Sequence, residues 1–411
     1  MSSPDPSDYI ARIEGDLRRN ILPFWMERVV DRDRRGFFGA MTNDLVPDRA
    51  AERGALLSSR ILWTFAAAYG RYRDPAYLEM ADTAYADLDA HFRDPQDGGY
   101  WWSVSADGQV LRDRKQVYGQ AFAIYALTEY HASTGRREPL EEAIRVYGLL
   151  EEHAVERRHG GYLEAFDRAW RPIPDMRLSE VDMNEPKSQN THLHVMEAYT
   201  RLLGAWPDPG LRRALAGLVD IMLSRIVNPA TGHLGLFFSE DWTPRSDRVS
   251  YGHDIEAAWL LTRAAEVLDD PALKRRILPL AVKIAAATLA EGVDSDGGVF
   301  NEGSPGGLTN ANKEWWPQAE AVVGFINAYQ LSGQERFLEA AFRTWDFIEL
   351  RLIDRRRGEW LRGVSRDGRV LENELKVSFW KCPYHNGRTG LEAVRRLRGL
   401  CGRAPETPAA K

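Results

Sequence analysis

The chain has 411 residues, a net charge of −6, 28% charged residues and two cysteines, Cys382 and Cys401. That balance gives no electrostatic footprint for DNA or RNA; two cysteines build no disulfide framework, and a reducing, cytoplasmic setting is expected. The start MSSPDPSDYIARIEG has no basic segment or apolar core, and the longest apolar stretch, ILPLAVKIAAATLA, is interrupted by Lys283, so neither export nor membrane insertion is predicted.

In chain order, residues 6–30 read as an amphipathic helix, and RGFFG at Gly36 then opens a glycine-aromatic signal. It returns as DGGYWW at Gly99, HGGYLE at Gly161, TGHLGLFF at Gly232, DGGVF at Gly298 and RGEWLR at Gly358, with spacings of 60 to 71 residues. A steady period of this kind marks a repeat architecture. Each unit contains two short stretches flanking a polar turn, then an apolar helix, a brief link and an amphipathic helix.

The apolar helices are predicted to begin near Arg53, Gln116, Ser188, Gly252, Trp315 and Tyr384; segments such as AFAIYAL are apolar on every face, the mark of a buried helix. In the amphipathic helix that follows the first apolar one, Tyr77, Ala81, Ala84, Leu88 and Phe92 form one stripe, with Glu79, Asp82 and Asp87 assigned to solvent. Six units, the sixth outer helix coming from the N-terminal segment, predict an all-α fold: an (α/α)6 barrel of twelve helices in two concentric rings, with short β-hairpins at the active-site mouth. No Ser/Gly/Pro-rich linker breaks the period, so 1–411 reads as a single domain frayed at both ends. The basic run RRLRGLCGR reads as a solvated helix end.

Three histidines fall near the starts of three inner helices: His194 in NTHLHV, His253 in YGHDIEAAWLL and His385 in FWKCPYHNGR. With Arg60, they are assigned a similar phase of the repeat, which gathers them for proton transfer. His192 and His194 point about 200° apart around a helix, so one of the two is structural. The set H-x-H, His253 and His385 permits a zinc cage, but no i, i+4 pair, HExxH or cysteine cluster supports one; neither metal nor cofactor is expected. Glu256 shares a helix face with His253, and a carboxylate set against the helix N-terminus is expected to hold that imidazole near neutrality. Arg60 lies in the nearly apolar LLSSRILWTFAAAY, where it must meet a carboxylate, solvent or an anion formed during turnover. Tryptophans gather at the inner-helix starts, at Trp101, Trp102, Trp315, Trp316 and Trp380, and offer flat faces for sugar rings. A small carbohydrate is the expected partner, bound by a monomer or weak homo-oligomer. A glycoside hydrolase on the same fold would need paired carboxylates, for which Glu256, Glu320 and Asp254 are the candidates. The glycine-rich stretch 303–312 is a candidate gate.

RILWTFAAAYGRY, VYGQAFAIYAL, HGGYLEAFDRAWRP, NTHLHVMEAY, NPATGHL, GHDIEAAWLL, WWPQAEAVVGFINAYQ and FWKCPYHNGR together resemble the N-acylglucosamine 2-epimerase superfamily, and most closely its cellobiose-epimerising branch. The resemblance runs through almost the whole chain. It implies cofactor-independent inversion of C2 in the reducing-end glucose of cellobiose or lactose, by ring opening, deprotonation to a cis-enediolate and reprotonation from the other face. Carried over by motif, His253 and His385 resemble the acid/base pair and His194 the histidine of ring opening. Arg60 is similar to the arginine that steadies the enediolate, and Glu256 and Glu320 to carboxylates that orient histidines and sugar hydroxyls. Asn190 and Tyr118 resemble hydrogen-bonding pocket residues, and Trp316 and Trp380 the sugar-stacking tryptophans. Ser58, Ser59 and Cys382 depart from the family pattern and bear on substrate preference. Monosaccharide isomerases and N-acylglucosamine 2-epimerases of the same superfamily share this chemistry.

Overall fold

The computed structural model describes residues 5–402, and the fraying expected at the two ends lies outside them. Six inner helices, α2 (Ala55–Tyr72), α4 (Val117–Thr134), α6 (Gln189–Ala205), α8 (Tyr251–Leu268), α10 (Trp315–Ser332) and α12 (Tyr384–Leu400), pack each on the next, and α12 packs back on α2. The ring is therefore closed. Each inner helix starts within two residues of its predicted position.

The outer ring holds α1 (Pro6–Asp16, running on through Leu17–Ile21 and Leu22–Arg28), α3 (Pro75–Asp87), α5 (Arg137–Leu149), α7 (Pro209–Ile221), α9 (Pro271–Ala287) and α11 (Glu335–Arg351). α3, α5, α7, α9 and α11 each follow an inner helix and pack on it, while α1 covers α12. Four outer helices start with Asp-Pro: Asp5, Asp74, Asp208 and Asp270 accept hydrogen bonds from main-chain N–H groups of the first turn, at 2.9, 3.0, 2.9 and 2.7 Å. Proline at the first helical position sacrifices no intrahelical bond, and each such cap stabilises its helix by about 1 kcal/mol. Among the described residues no helix is long and apolar enough to cross a membrane.

The tyrosine, alanine, leucine and phenylalanine stripe of α3 is buried as predicted, but Asp87 is not in water. It is 2% exposed and accepts from Arg53 (2.7 Å) and Ser58 (2.8 Å). The reason is local: α3 passes at Leu88–Phe92 into a wider π-helical turn, which rotates the side chains bordering it relative to a 3.6-residue register. The basic run is likewise not simply solvated, since Arg396 is buried and donates to Asn327 and Gln330 of α10.

Short antiparallel strands join neighbouring units at one end of the barrel. The pair entering α4, Lys115–Gln116, binds Ala165–Phe166, and the pair entering α6, Lys187–Ser188, binds Phe237–Phe238. Buried basic side chains anchor these strands: Arg53 on Asp87 (2.7 Å), Lys115 on Asp94 (2.9 Å), Lys187 on Glu156 (3.1 Å) and Lys313 on Asp294 (2.8 Å). Each stands two residues before an inner helix, so the ion pairs fix where that helix begins. Gly161 lies in one of the glycine-aromatic stretches with φ 86°, and a Cβ there would meet Trp242 and His192; glycine is required on both counts.

Candidate active site

The strand-bearing end of the inner ring opens into a cleft of 660 Å³ lined by Arg60, Tyr118, Asn190, His194, His253, Glu256, Trp316, Trp380 and His385, among others. The sequence-predicted site residues thus meet in one place, with Glu320 just behind. They do not share one phase of the repeat. Arg60, His194, Glu256 and Glu320 are each the sixth residue of their helices, whereas His253 is the third of α8 and His385 the second of α12. The site is therefore layered, with His253 and His385 nearer the rim and Arg60 and His194 about one helical turn deeper.

Between the two levels the fourth residue turns outward. Gln120, His192, Asp254 and Gln318 each accept a main-chain N–H from a glycine-aromatic stretch, at 2.8, 2.9, 2.9 and 2.6 Å. His192 is accordingly structural, its Nδ1 lying 2.7 Å from the Ser188 carbonyl. Asp254 also holds His233 at 2.7 Å and does not face the cleft.

Each of the three cleft histidines is fixed through Nδ1, which leaves Nε2 as the atom available for chemistry. His194 lies 2.8 Å from Glu197, His385 2.7 Å from Glu320 and His253 2.8 Å from the Ser250 hydroxyl. The expected carboxylate behind His253 is thus absent: Glu256 is turned to Arg388, 2.6 Å away. Burial, reinforced by His194, lowers the His253 pKa to about 3. Burial lowers His194 despite Glu197, and burial with Arg60 and Arg388 nearby holds His385 well below its ordinary value, its Glu320 contact notwithstanding. All three imidazoles are neutral at pH 7, the form that accepts a proton.

One residue that the sequence reading did not single out organises this set. Arg388, 1% exposed, donates to Glu197, to Glu256 (2.6 Å) and to Glu320 (2.7 Å). Glu197 additionally accepts from Tyr384 (2.7 Å). Burial raises the Glu197 carboxyl, and Arg388 with the His194 hydrogen bond more than offsets this, so its pKa ends below the ordinary value. Glu256 is raised well above its usual range by burial and by Glu320, against Arg388. Glu197 was not singled out either, and helical spacing carried a signal for both, since Glu197 follows His194 and Arg388 follows His385 by three positions. Glu256, Glu320 and His385 also bring ligand atoms within 4.8 Å of one another, but the Arg388 guanidinium already bonds both carboxylates and supplies the cation such a cluster requires.

Arg60 stands in contrast. It is 2% exposed and bonded to the Tyr118 hydroxyl at 2.7 Å, with the Trp380 carbonyl and Cys382 sulfur at 3.5 and 3.9 Å. Its guanidinium lies over the Phe122 ring at 4.3 Å. No carboxylate accepts from it among the described residues, and its Nε, the Asn190 Oδ1 and the Glu256 Oε2 are buried without a partner. Arg60 is thus a buried cation that no carboxylate among the described residues balances.

The walls are aromatic. Trp316 contacts both upper histidines, its ring centroid 4.6 Å from His253 and 5.7 Å from His385. Trp380 packs beside Trp102 and Tyr118. Trp102 and Trp315 also line the cleft, whereas Trp101 is turned to Asp94 at 3.2 Å. The segment 178–182, not anticipated from the sequence, forms another wall, with Val181 86% exposed. Ser58 and Ser59 do not reach the cleft: the first bonds Asp87 and the second is buried within α2. The glycine-rich stretch 303–312 forms a hairpin, Glu302–Ser304 with Gly307–Asn310, beside an adjoining lobe of 460 Å³.

Residues 36–386 match the family model described as N-acylglucosamine 2-epimerase (GlcNAc 2-epimerase). A cellobiose 2-epimerase from Bacteroides fragilis is 44% identical over 93% of this chain and 97% of its own length; one from Dictyoglomus turgidum is 38% identical over the same shares. Among solved structures, cellobiose 2-epimerase from Bacillus thermoamylovorans B4167 superposes with a TM-score of 0.91 at 36% identity, covering 95% of this chain and all of that one.

Proposed function

The chain belongs to the N-acylglucosamine 2-epimerase family and is a sugar epimerase, an isomerase; from that premise we propose that it inverts C2 of the reducing-end glucose of a β-1,4-linked disaccharide, cellobiose in the first instance. The observation that carries the reading is the pairing of two neutral imidazoles on one indole, Trp316, above an Arg60 that has no carboxylate partner among the described residues.

The chemistry follows from those roles. His194, braced by Glu197, assists opening of the pyranose. Nε2 of one rim histidine removes the C2 proton, and the electrons pass into a cis-enediolate whose oxygens draw on the Arg60 charge. Rotation about C2–C3 presents the other face to the second rim histidine, which delivers a proton taken from solvent. One such acid/base group contributes roughly 10² to 10⁴-fold, and preorganised charge for the enediolate contributes comparably. Trp380 supplies the face on which the non-reducing glucose stacks, so that binding energy from a remote ring holds C2 between the bases. Glycoside hydrolysis is disfavoured: it needs two carboxylates flanking a bond, yet Glu256 and Glu320 are both committed to Arg388, and Asp254 to His233.

Proton NMR of the enzyme with cellobiose in D2O tests the proposal. Glucosyl-mannose deuterated at C2 is the expected product. Free glucose would establish a hydrolase, a deuterated ketose an aldose–ketose isomerase, and an unchanged spectrum would refute the disaccharide reading.

A further inference from the structure

Two helices of the inner ring start with a serine, and they use it differently. Ser188 and Ser250 are the N-cap residues of α6 and α8, both in extended conformation. Ser188 does what a serine ordinarily does there: its hydroxyl accepts from the Thr191 N–H at 3.1 Å. Ser250, 4% exposed, makes no side-chain cap bond. Its hydroxyl is turned instead to Nδ1 of His253, 2.8 Å away. At α8 a cap is thus forgone for a contact with a rim histidine.

That contact differs in kind from the one behind His385. Glu320 already accepts from Arg388 at Oε1 (2.7 Å) and from Trp259 Nε1 at Oε2 (3.0 Å). A carboxylate so used only accepts, so Nδ1 of His385 carries the proton and Nε2 is bare. A hydroxyl donates as well as accepts. It accommodates His253 with its proton on Nδ1 or on Nε2, and neither form is charged. This matters because burial lowers the His253 pKa to about 3, which leaves little imidazolium at neutral pH to act as the proton donor.

We propose that Ser250 is the positioning residue that lets His253 hold either neutral tautomer, so that the rim pair meets the sugar with one bare Nε2, on His385, and one Nε2–H, on His253. The proposal rests on the epimerase reading above. His385 Nε2 takes the C2 proton and the enediolate forms. The His253 Nε2–H bond then breaks as the new C2–H bond forms, the Ser250 hydroxyl proton moves to Nδ1, and water in the adjoining lobe, which both residues border, reprotonates Ser250. The hydroxide left behind and the proton held by His385 combine through solvent when the product leaves. In the opposite direction the same shifts run backwards: His253 Nε2 accepts the C2 proton and Nδ1 returns one to Ser250.

Nitrogen-15 NMR of the histidine side chains in the sugar-free enzyme reads the tautomers, with His253 and His385 assigned through His253→Asn and His385→Asn. His253 should show intermediate shifts at both ring nitrogens, and His385 the pattern of a proton on Nδ1 alone. In kinetics with cellobiose, Ser250→Ala should lower kcat about ten- to a hundredfold, a part of the roughly 10² to 10⁴-fold that a whole acid/base group supplies, with KM within about twofold. Ser250→Thr, which keeps the hydroxyl, should recover most of that loss. Added to His253→Ala, Ser250→Ala should cost nothing further, because it acts through that imidazole. A single tautomer at His253, a folded Ser250→Ala with kcat within about twofold of native, or a loss that persists in the His253→Ala background would overturn the proposal. Cellobiose left unchanged by the native enzyme would count against the disaccharide reading instead, and the nitrogen spectra would still decide the role of Ser250.

Discussion

Replacing Arg388 by methionine removes the single cation shared by Glu197, Glu256 and Glu320, all within the closed ring. Breaking a buried ion pair from one side costs about 3–5 kcal/mol. With an unfolding entropy near 2.1 cal/mol/K per residue, a chain of this length should lose roughly 3–6 °C in Tm. The loss has a pH signature. In the native protein Glu197 lies below its ordinary value, so the stability it contributes is present above the unfolded carboxylate pKa and constant from pH 5 to 8. In Arg388→Met, burial of Glu197 acts unopposed by the cation and raises its folded pKa above the unfolded one. Stability is then full below the unfolded pKa and falls as pH rises through the folded value, by up to about 1.4 kcal/mol per pH unit. The Tm deficit should therefore widen between pH 5 and pH 8 by about 1.5 °C per unit. Circular-dichroism melts of both proteins at pH 5, 6, 7 and 8 measure it. A deficit under about 1 °C, or one equal at all four pH values, would refute the view that Arg388 balances buried charge.

Alanine at His253 or at His385 should each lower epimerisation of cellobiose by about 10² to 10⁴-fold with little change in the circular-dichroism spectrum; a folded variant with near-normal turnover would remove that histidine from the acid/base pair. Trp380→Ala should raise KM for cellobiose about three- to tenfold and leave turnover of glucose nearly unchanged, whereas equal effects on both sugars would contradict stacking of the non-reducing ring. The neutral imidazole is the base and its protonation ends activity, so the depressed values of His253, about 3, and of His385 move the acid limb of kcat/KM downward. The profile should stay flat from pH 8 to about pH 5, and an inflection between pH 6 and 7 would contradict it.

The ring and its helix starts were legible because six apolar helices cannot be solvated and because glycine-aromatic stretches punctuate them at a steady interval. The gathering of His194, His253, His385 and Arg60 was legible for the same reason. Their arrangement in two levels was not: a shift of three positions along a helix keeps a side chain on nearly the same face, so periodicity alone does not give depth. The partner of His253 was misjudged because Glu256 has two competitors for its face, and a guanidinium from α12, 132 residues away, wins over a neighbour three positions off. Asp87 escaped because the helix changes its winding at Leu88. The anchors Arg53, Lys115, Lys187 and Lys313 look in sequence like solvated loop charges, and only their distant carboxylates reveal otherwise.

His385 and Arg388 both stand on α12, the ring helix that comes last in chain order and closes the circle onto α2. On a ribosome, until α12 is made, the cleft lacks one of its two rim histidines and the cation bonded to Glu197, Glu256 and Glu320. Until α12 emerges, α2 and α10 present apolar flanks to solvent, the kind of transient edge that invites aggregation. Activity should thus arrive in one step with topological closure, and nascent or truncated chains short of α12 should be both inert and the natural clients of chaperones.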